Sequence, residues 1–136
     1  MRIVGGRFKG LQLAAPADQA TRPTSDRVRE AIFNILAHGI EGLELEGARV
    51  LDLFAGTGAL GFEALSRGAR HCQFVDQSAA ARGLVRGNAD KLGGFAQEAR
   101  RLGMTIEPPS INRSEVDFIP GEGAIRYSLA ALKNVG

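Results

Sequence analysis

The run Val50-Leu51-Asp52-Leu53-Phe54-Ala55-Gly56-Thr57-Gly58-Ala59-Leu60-Gly61 constrains this chain more than any other feature. Arg49 to Phe54 is a near-continuous apolar stretch, as a parallel strand covered on both faces requires. It breaks into glycines and then reopens as helix formers, which predicts a strand, a tight turn and a helix. Gly56, Gly58 and Gly61 give the G-x-G-x-x-G spacing of a nucleotide-type turn, where backbone amides approach a ligand that a Cβ would push away. Asp52 narrows the meaning. A carboxylate at the strand end repels a pyrophosphate and suits a ligand with a cationic amino-acid end. Asp76 closes the next predicted strand, 18 residues past Gly58, where a carboxylate can accept both hydroxyls of a ribose.

The flanking pattern makes this a βαβα unit of an α/β fold. The helix after the glycine loop runs to Arg67, with Gly68 as its stop; Cys72 to Val75 is the second strand; Ser78 caps a helix that continues through Val85 to Leu92. Upstream, Ile3 to Leu13 alternates Phe8, Leu11 and Leu13 with glycines and reads as a hairpin or arm. Pro23 prepares a helix capped by Thr24, Ser25 or Asp26 and ending near Gly39. Its expected core face is Val28, Ala31, Ile32, Ile35 and Leu36. After Gly93 the character changes. A short helix is expected over Phe95 to Leu102, a strand over Met104 to Ile106, an irregular stretch from Pro108 to Gly123, and a helix from Ala124 to Lys133.

Length and composition set bounds. A chain of 136 residues suggests one domain. No apolar run approaches the ~18–20 residues of a membrane span, and no signal segment precedes the first strand, so cytoplasmic residence is the expectation. Cys72 is the single cysteine, which excludes an internal disulfide and a cysteine metal cluster. It reads as a small buried apolar residue, and His38 and His71 read as structural. The net charge is only +2, but Arg2, Arg7, Lys9, Arg22, Arg27 and Arg29 crowd the N-terminal segment. Such a segment fits a phosphate-rich partner; on charge alone it reads equally well as a solvated surface.

Asp52-Leu53-Phe54-Ala55-Gly56-Thr57-Gly58 resembles the cofactor loop of methyltransferases that use S-adenosylmethionine. With Arg2-Ile3-Val4-Gly5-Gly6-Arg7-Phe8-Lys9-Gly10 and Thr21-Arg22-Pro23-Thr24-Ser25-Asp26-Arg27-Val28-Arg29-Glu30-Ala31-Ile32-Phe33-Asn34-Ile35-Leu36, it resembles the bacterial 16S rRNA (guanine-N2)-methyltransferase family over residues 1 to 90. The resemblance implies a Rossmann-like sheet. It implies a cofactor site at Asp52, Phe54, Gly56, Thr57, Gly58 and Asp76, with no metal, and RNA contacts from Arg7, Lys9, Arg22, Arg27 and Arg29. The partner it implies is 16S rRNA or the small ribosomal subunit.

That family ends its fourth strand with Asp-Pro-Pro-aromatic, which holds the flipped base. Here Glu107-Pro108-Pro109 is followed by Ser110, and Glu107 lies only 31 residues past Asp76. The family fits another strand, an acidic adenine-site loop and a helix into that interval. Glu107, Pro108 and Pro109 are therefore catalytic candidates at odds with the spacing, and no residue is assigned to catalysis.

A second resemblance covers the rest. Phe95-Ala96-Gln97-Glu98-Ala99-Arg100-Arg101-Leu102-Gly103, Pro108-Pro109-Ser110-Ile111-Asn112-Arg113-Ser114 and Gly123 to Gly136 resemble a stretch of the bacterial DNA polymerase III alpha subunit, without its catalytic carboxylates. The chain reads as a chimera. Residues 1–92 form the N-terminal part of a methyltransferase domain and residues 93–136 a segment that is no autonomous domain, with the junction between Asn88 and Phe95. The expectation is an incomplete sheet with two certain strands, weak cofactor binding and little or no turnover. A non-catalytic RNA-binding fragment and an inactive polymerase fragment are the alternatives.

Overall fold

The computed structural model describes residues 1–16, 25–95, 103–108, 119–121 and 124–126. The first residues form the expected arm. Ile3 N donates to Leu11 O, Gly10 N to Ile3 O and Leu13 N to Met1 O, and Arg2 bridges Gln12 in antiparallel sense. Folding back in this way sends Ile3, Phe8 and Leu13 into the core.

Helix α1 spans Asp26–His38. The Ser25 hydroxyl caps it by accepting from Val28 N, and Gly39 N closes it on Ile35 O. Its buried face differs from the expected one. Arg29 and Phe33 are buried and Ile32 and Leu36 partly so, while Val28 and Ile35 are more than half exposed. The reason is the surface that α1 meets, which carries a buried carboxylate and so selects an arginine.

Strands β1 (Arg49–Leu53), β2 (His71–Val75) and β3 (Gly103–Glu107) form a parallel sheet in the order β1-β2-β3. Leu51 pairs with Gln73, which pairs with Thr105. The third strand was expected and brings the parallel sheet to three strands. Helix α2 (Ala59–Ser66) connects β1 to β2, and α3 (Ala79–Phe95), capped by Ser78, follows β2. Strands β4 (Ile119–Gly121) and β5 (Ala124–Arg126) pair antiparallel with each other. Residues 124–126 are therefore extended where a helix was expected; a tight strand pair satisfies their backbone instead. The rest of that expected helix and residues 96–102 lie outside the described residues.

Helix α2 is the centre of the molecule. Ala59 and every residue from Gly61 to Ser66 are buried, because the sheet covers one side and the arm and α1 the other. Phe62 stacks on Phe74 with ring centroids 4.7 Å apart. A Cβ on Gly61 would lie 2.3 Å from the Phe74 ring, so this close approach of helix to sheet needs glycine.

The one charge on α2, Glu63, is fully buried and fully used. Its Oε1 accepts from Val4 N and Arg29 Nε, and its Oε2 from Gly5 N and Arg67 Nε. Four donors match the four acceptor positions of a carboxylate. Arg29 also donates to Asp26 and to the Arg2 carbonyl, and Arg67 lies over the Phe33 ring. Ser66 completes the seam by accepting from Phe8 N and donating to Gly5 O.

Candidate cofactor site

Parallel strands leave their carboxyl ends open for ligands, and the two predicted acids lie at neighbouring ends. They are not equivalent. Asp52 is 8% exposed, and its carboxylate accepts from Gly61 N at 3.1 Å, in the first turn of α2. Burial, helped by the charge of Asp76 and opposed by the Gly61 bond, raises its pKa to about 7. Asp52 thus turns under the glycine loop and supports it, where the sequence reading had it reach a ligand's ammonium group.

Asp76 holds the loop from the other side. One carboxylate oxygen accepts from Gly56 N at 2.9 Å and the other from Ser78 N at 2.9 Å. Each oxygen keeps a second acceptor position. The β1 and β2 ends are also joined by Ala55 N to Val75 O, and Asp76 N donates to Glu107 O.

The loop between them is strained and open. Phe54 has φ 57° and is 67% exposed, an uncommon backbone state for a residue with a Cβ and one that clusters at functional sites. Gly56 has φ 58°, and a Cβ placed there would meet nothing but the Phe54 carbonyl at 3.9 Å. The space above Gly56 is open, with the Asp76 carboxylate beside it. Thr57 is buried and faces the protein: its hydroxyl contacts Met1 Sδ and its carbonyl accepts from Asn88 Nδ2. Gly58 N donates to Ala55 O and opens α2.

The residues expected to contact RNA divide. Arg7, Lys9 and Arg27 lie on the surface, and Lys9 and Arg27 line a cavity of about 340 Å³ with Arg2, Asp26 and Glu30. Arg29 is a correction. It is 0% exposed, and the Glu63 network makes it a structural cation that no RNA phosphate reaches. Arg22 lies outside the described residues.

Glu107 and Pro108 are also corrected. They end β3, which flanks β2, whereas the strand expected to carry the base-holding motif comes later in the family's order. The Glu107 carboxylate accepts from Gln73 Nε2 at 3.0 Å. Pro109 lies outside the described residues.

Asn88 went unnoticed in the sequence. It is fully buried and ties Ala14 to Thr57. Its signal was a polar residue between Val85 and Leu92 on one apolar helix stripe. Among the described residues, no cluster of His, Cys, Asp and Glu could hold a metal, and no helix is long and apolar enough to cross a membrane.

Comparison with known proteins accounts for both parts of the chain. YlbH of Bacillus subtilis, which carries the name of an rRNA methyltransferase, is 49% identical over 92 residues, covering 68% of this chain and 47% of YlbH. Ribosomal RNA small subunit methyltransferase D of Escherichia coli is 46% identical over 80 residues, covering 59% of this chain and 38% of that protein. This chain thus spans less than half the length of either. The solved structure of yhhF from Escherichia coli, named as a methyltransferase, superposes with a TM-score of 0.61 at 34% identity, over 79% of this chain and 51% of that one. The C-terminal part of this chain is similar to the DNA polymerase III alpha subunit of Caulobacter vibrioides, 45% identical over 62 residues, which are 46% of this chain and 5% of the subunit. A helix-hairpin-helix pattern matches residues 103–136, though its described residues are extended. The pattern described as conserved hypothetical protein 95 matches residues 1–119, beyond the 90 residues the motifs covered, and on that match the chain belongs to the conserved hypothetical protein 95 family of methyltransferase relatives.

Proposed function

We propose that this chain carries the cofactor-binding and RNA-docking half of a 16S rRNA guanine-N2 methyltransferase, and that its own turnover is low. One observation carries the reading: the Asp76 carboxylate, still able to accept further hydrogen bonds, borders open space above Gly56 at the carboxyl ends of two parallel strands. That arrangement fits S-adenosylmethionine, which supplies an already activated methyl group. Asp76 would accept the ribose hydroxyls, the bare backbone at Gly56 would let the ligand approach closely, and exposed Phe54 would offer a ring face. Asp52 would hold the loop in shape. Arg7, Lys9 and Arg27 would meet rRNA phosphates.

Catalysis by positioning needs the acceptor base held in line with the methyl group. Glu107, placed beside β2 and engaged by Gln73, does not supply that. Its position favours a second reading, a module that binds cofactor and RNA without transfer. The polymerase-like C-terminal segment is read as joined to the methyltransferase part after Asn88, and it contributes no activity of its own.

A thermal melt with and without excess S-adenosylmethionine tests the reading. A cooperative transition that rises with ligand supports it, since ligand binding to the folded state alone stabilises by mass action. A ligand-insensitive transition overturns it. Methyl transfer to 16S rRNA by an unheated sample of the same preparation separates the first reading from the second.

A further inference from the structure

The exposed cations of the arm and the glycine loop share one buried side chain. Asn88 is 0% exposed and makes three hydrogen bonds. Its Oδ1 accepts from Ala14 N at 2.7 Å, and its Nδ2 donates to Ala14 O at 3.3 Å and to Thr57 O at 3.0 Å. A buried amide costs stability unless so bonded, and this one interrupts an apolar stripe between Val85 and Leu92. Its two partners belong to different sites. Ala14 ends the arm that displays Arg2, Arg7 and Lys9 on the surface. Thr57 lies between Gly56 and Gly58 in the loop.

The effect on the loop is specific. The peptide between Thr57 and Gly58 is planar, so fixing its carbonyl fixes its amide. Asn88 holds the carbonyl and Ala55 O accepts from the Gly58 amide at 2.8 Å. The other end of the arm reaches the same residue, because the Thr57 hydroxyl contacts Met1 Sδ at 3.8 Å. When the end of the arm at Ala14 releases, with Ile3 and Phe8 still in the core, Asn88 loses two of its three bonds.

We infer that Asn88 is a positioning residue that couples RNA contact at the N-terminal arm to cofactor contact at the glycine loop. This rests on the functional reading above. RNA bound to the docked arm favours the state in which Asn88 holds Thr57, and that state is the one that accepts the cofactor. By linkage the coupling is reciprocal.

Equilibrium dialysis of the full chain with labelled S-adenosylmethionine, with and without saturating protein-free 16S rRNA, tests the coupling. Expected is a tightening of about fivefold or more, matched by the same factor for rRNA in the presence of cofactor. In Asn88→Asp, which keeps the acceptor for Ala14 N and at neutral pH loses the donor to Thr57 O and to Ala14 O, that factor falls to near one. A merely structural role would lower both affinities and the melting temperature while leaving the factor intact; that result overturns the inference.

Hydrogen exchange of the unaltered chain gives a readout independent of any variant. Adding rRNA alone slows exchange at the arm and at Gly56 to Gly58 together. Slowing at the arm alone, or a factor of one in the unaltered chain when both ligands bind, overturns the coupling. If neither ligand binds, the functional reading itself has failed and the inference falls with it.

Discussion

The described residues up to 95 and those from 103 onward are held by different means. In the first region a buried charge organises three separate pieces of chain. Glu63 of α2 draws in Val4 and Gly5 from the arm, Arg29 from α1 and Arg67 from its own helix. In the second, β3 joins the sheet through backbone pairing with β2 and half-buried Met104 and Ile106, while β4 and β5 pair only with each other. Side-chain networks are particular to their sequence; strand pairing asks only for extended backbone and alternating apolar residues. The place of β3 therefore depends less on particular side chains than the Glu63 network depends on Arg29.

The largest expected effect breaks the first region. Glu63→Ala leaves Arg29 buried beside one remaining carboxylate and removes the acceptor for two arm amides. The expected loss is about 3–5 kcal/mol, in the range of broken buried ion pairs. Urea denaturation followed by circular dichroism measures it. A loss below about 1 kcal/mol would show that the arm and α1 are held by their apolar contacts instead.

Asp52 gives the next effect, and its sign is opposite to that of a paired carboxylate. Its pKa rises from 3.8 in the unfolded chain to about 7 in the fold, so the folded state binds the extra proton between those values. Stability contributed by the protonated carboxyl is present at low pH and lost as pH rises from about 4 to about 7, by at most about 4 kcal/mol. Asp52→Asn keeps an oxygen for Gly61 N and removes the titration. Melts from pH 4 to 8 should show the unaltered chain losing ground relative to Asp52→Asn across that window; parallel curves would refute the burial of a titrating carboxyl.

Much of this was legible in the sequence. The strand, loop and helix around Gly56, the Ser25 cap and the Gly39 stop depend on neighbouring residues, so local pattern reveals them. The α1 face was misjudged because apolar periodicity counts Val28 and Ile35 and ignores Arg29, whose burial depends on Glu63 34 positions away. The same holds for Asn88, whose partners lie 74 and 31 positions away. The role of Asp52 depended on which way its carboxylate turned, toward Gly61 or outward, and spacing does not encode that. Glu107 stayed undecided because Glu-Pro-Pro resembles the motif while its spacing does not, and the pairing of β3 with β2 is visible only in three dimensions.

The smallest effect is a difference between two losses, and it sharpens the comparison by matching like with like. Leu65 on α2 is fully buried in the first region, and Ile106 on β3 packs against the same core from the second. Both are aliphatic, and truncation to alanine deletes apolar contacts without stranding a charge. Leu65→Ala should cost about 2–5 kcal/mol, because α2 is enclosed on all sides and cannot collapse onto the gap. Ile106→Ala should cost about 1–2 kcal/mol, since its side chain is half exposed and the bonds between β2 and β3 run through the backbone. Urea midpoints measured side by side decide it. Equal losses would mean that β3 is packed as specifically as α2, and the division drawn here between a side-chain-built region and a backbone-recruited strand would fall.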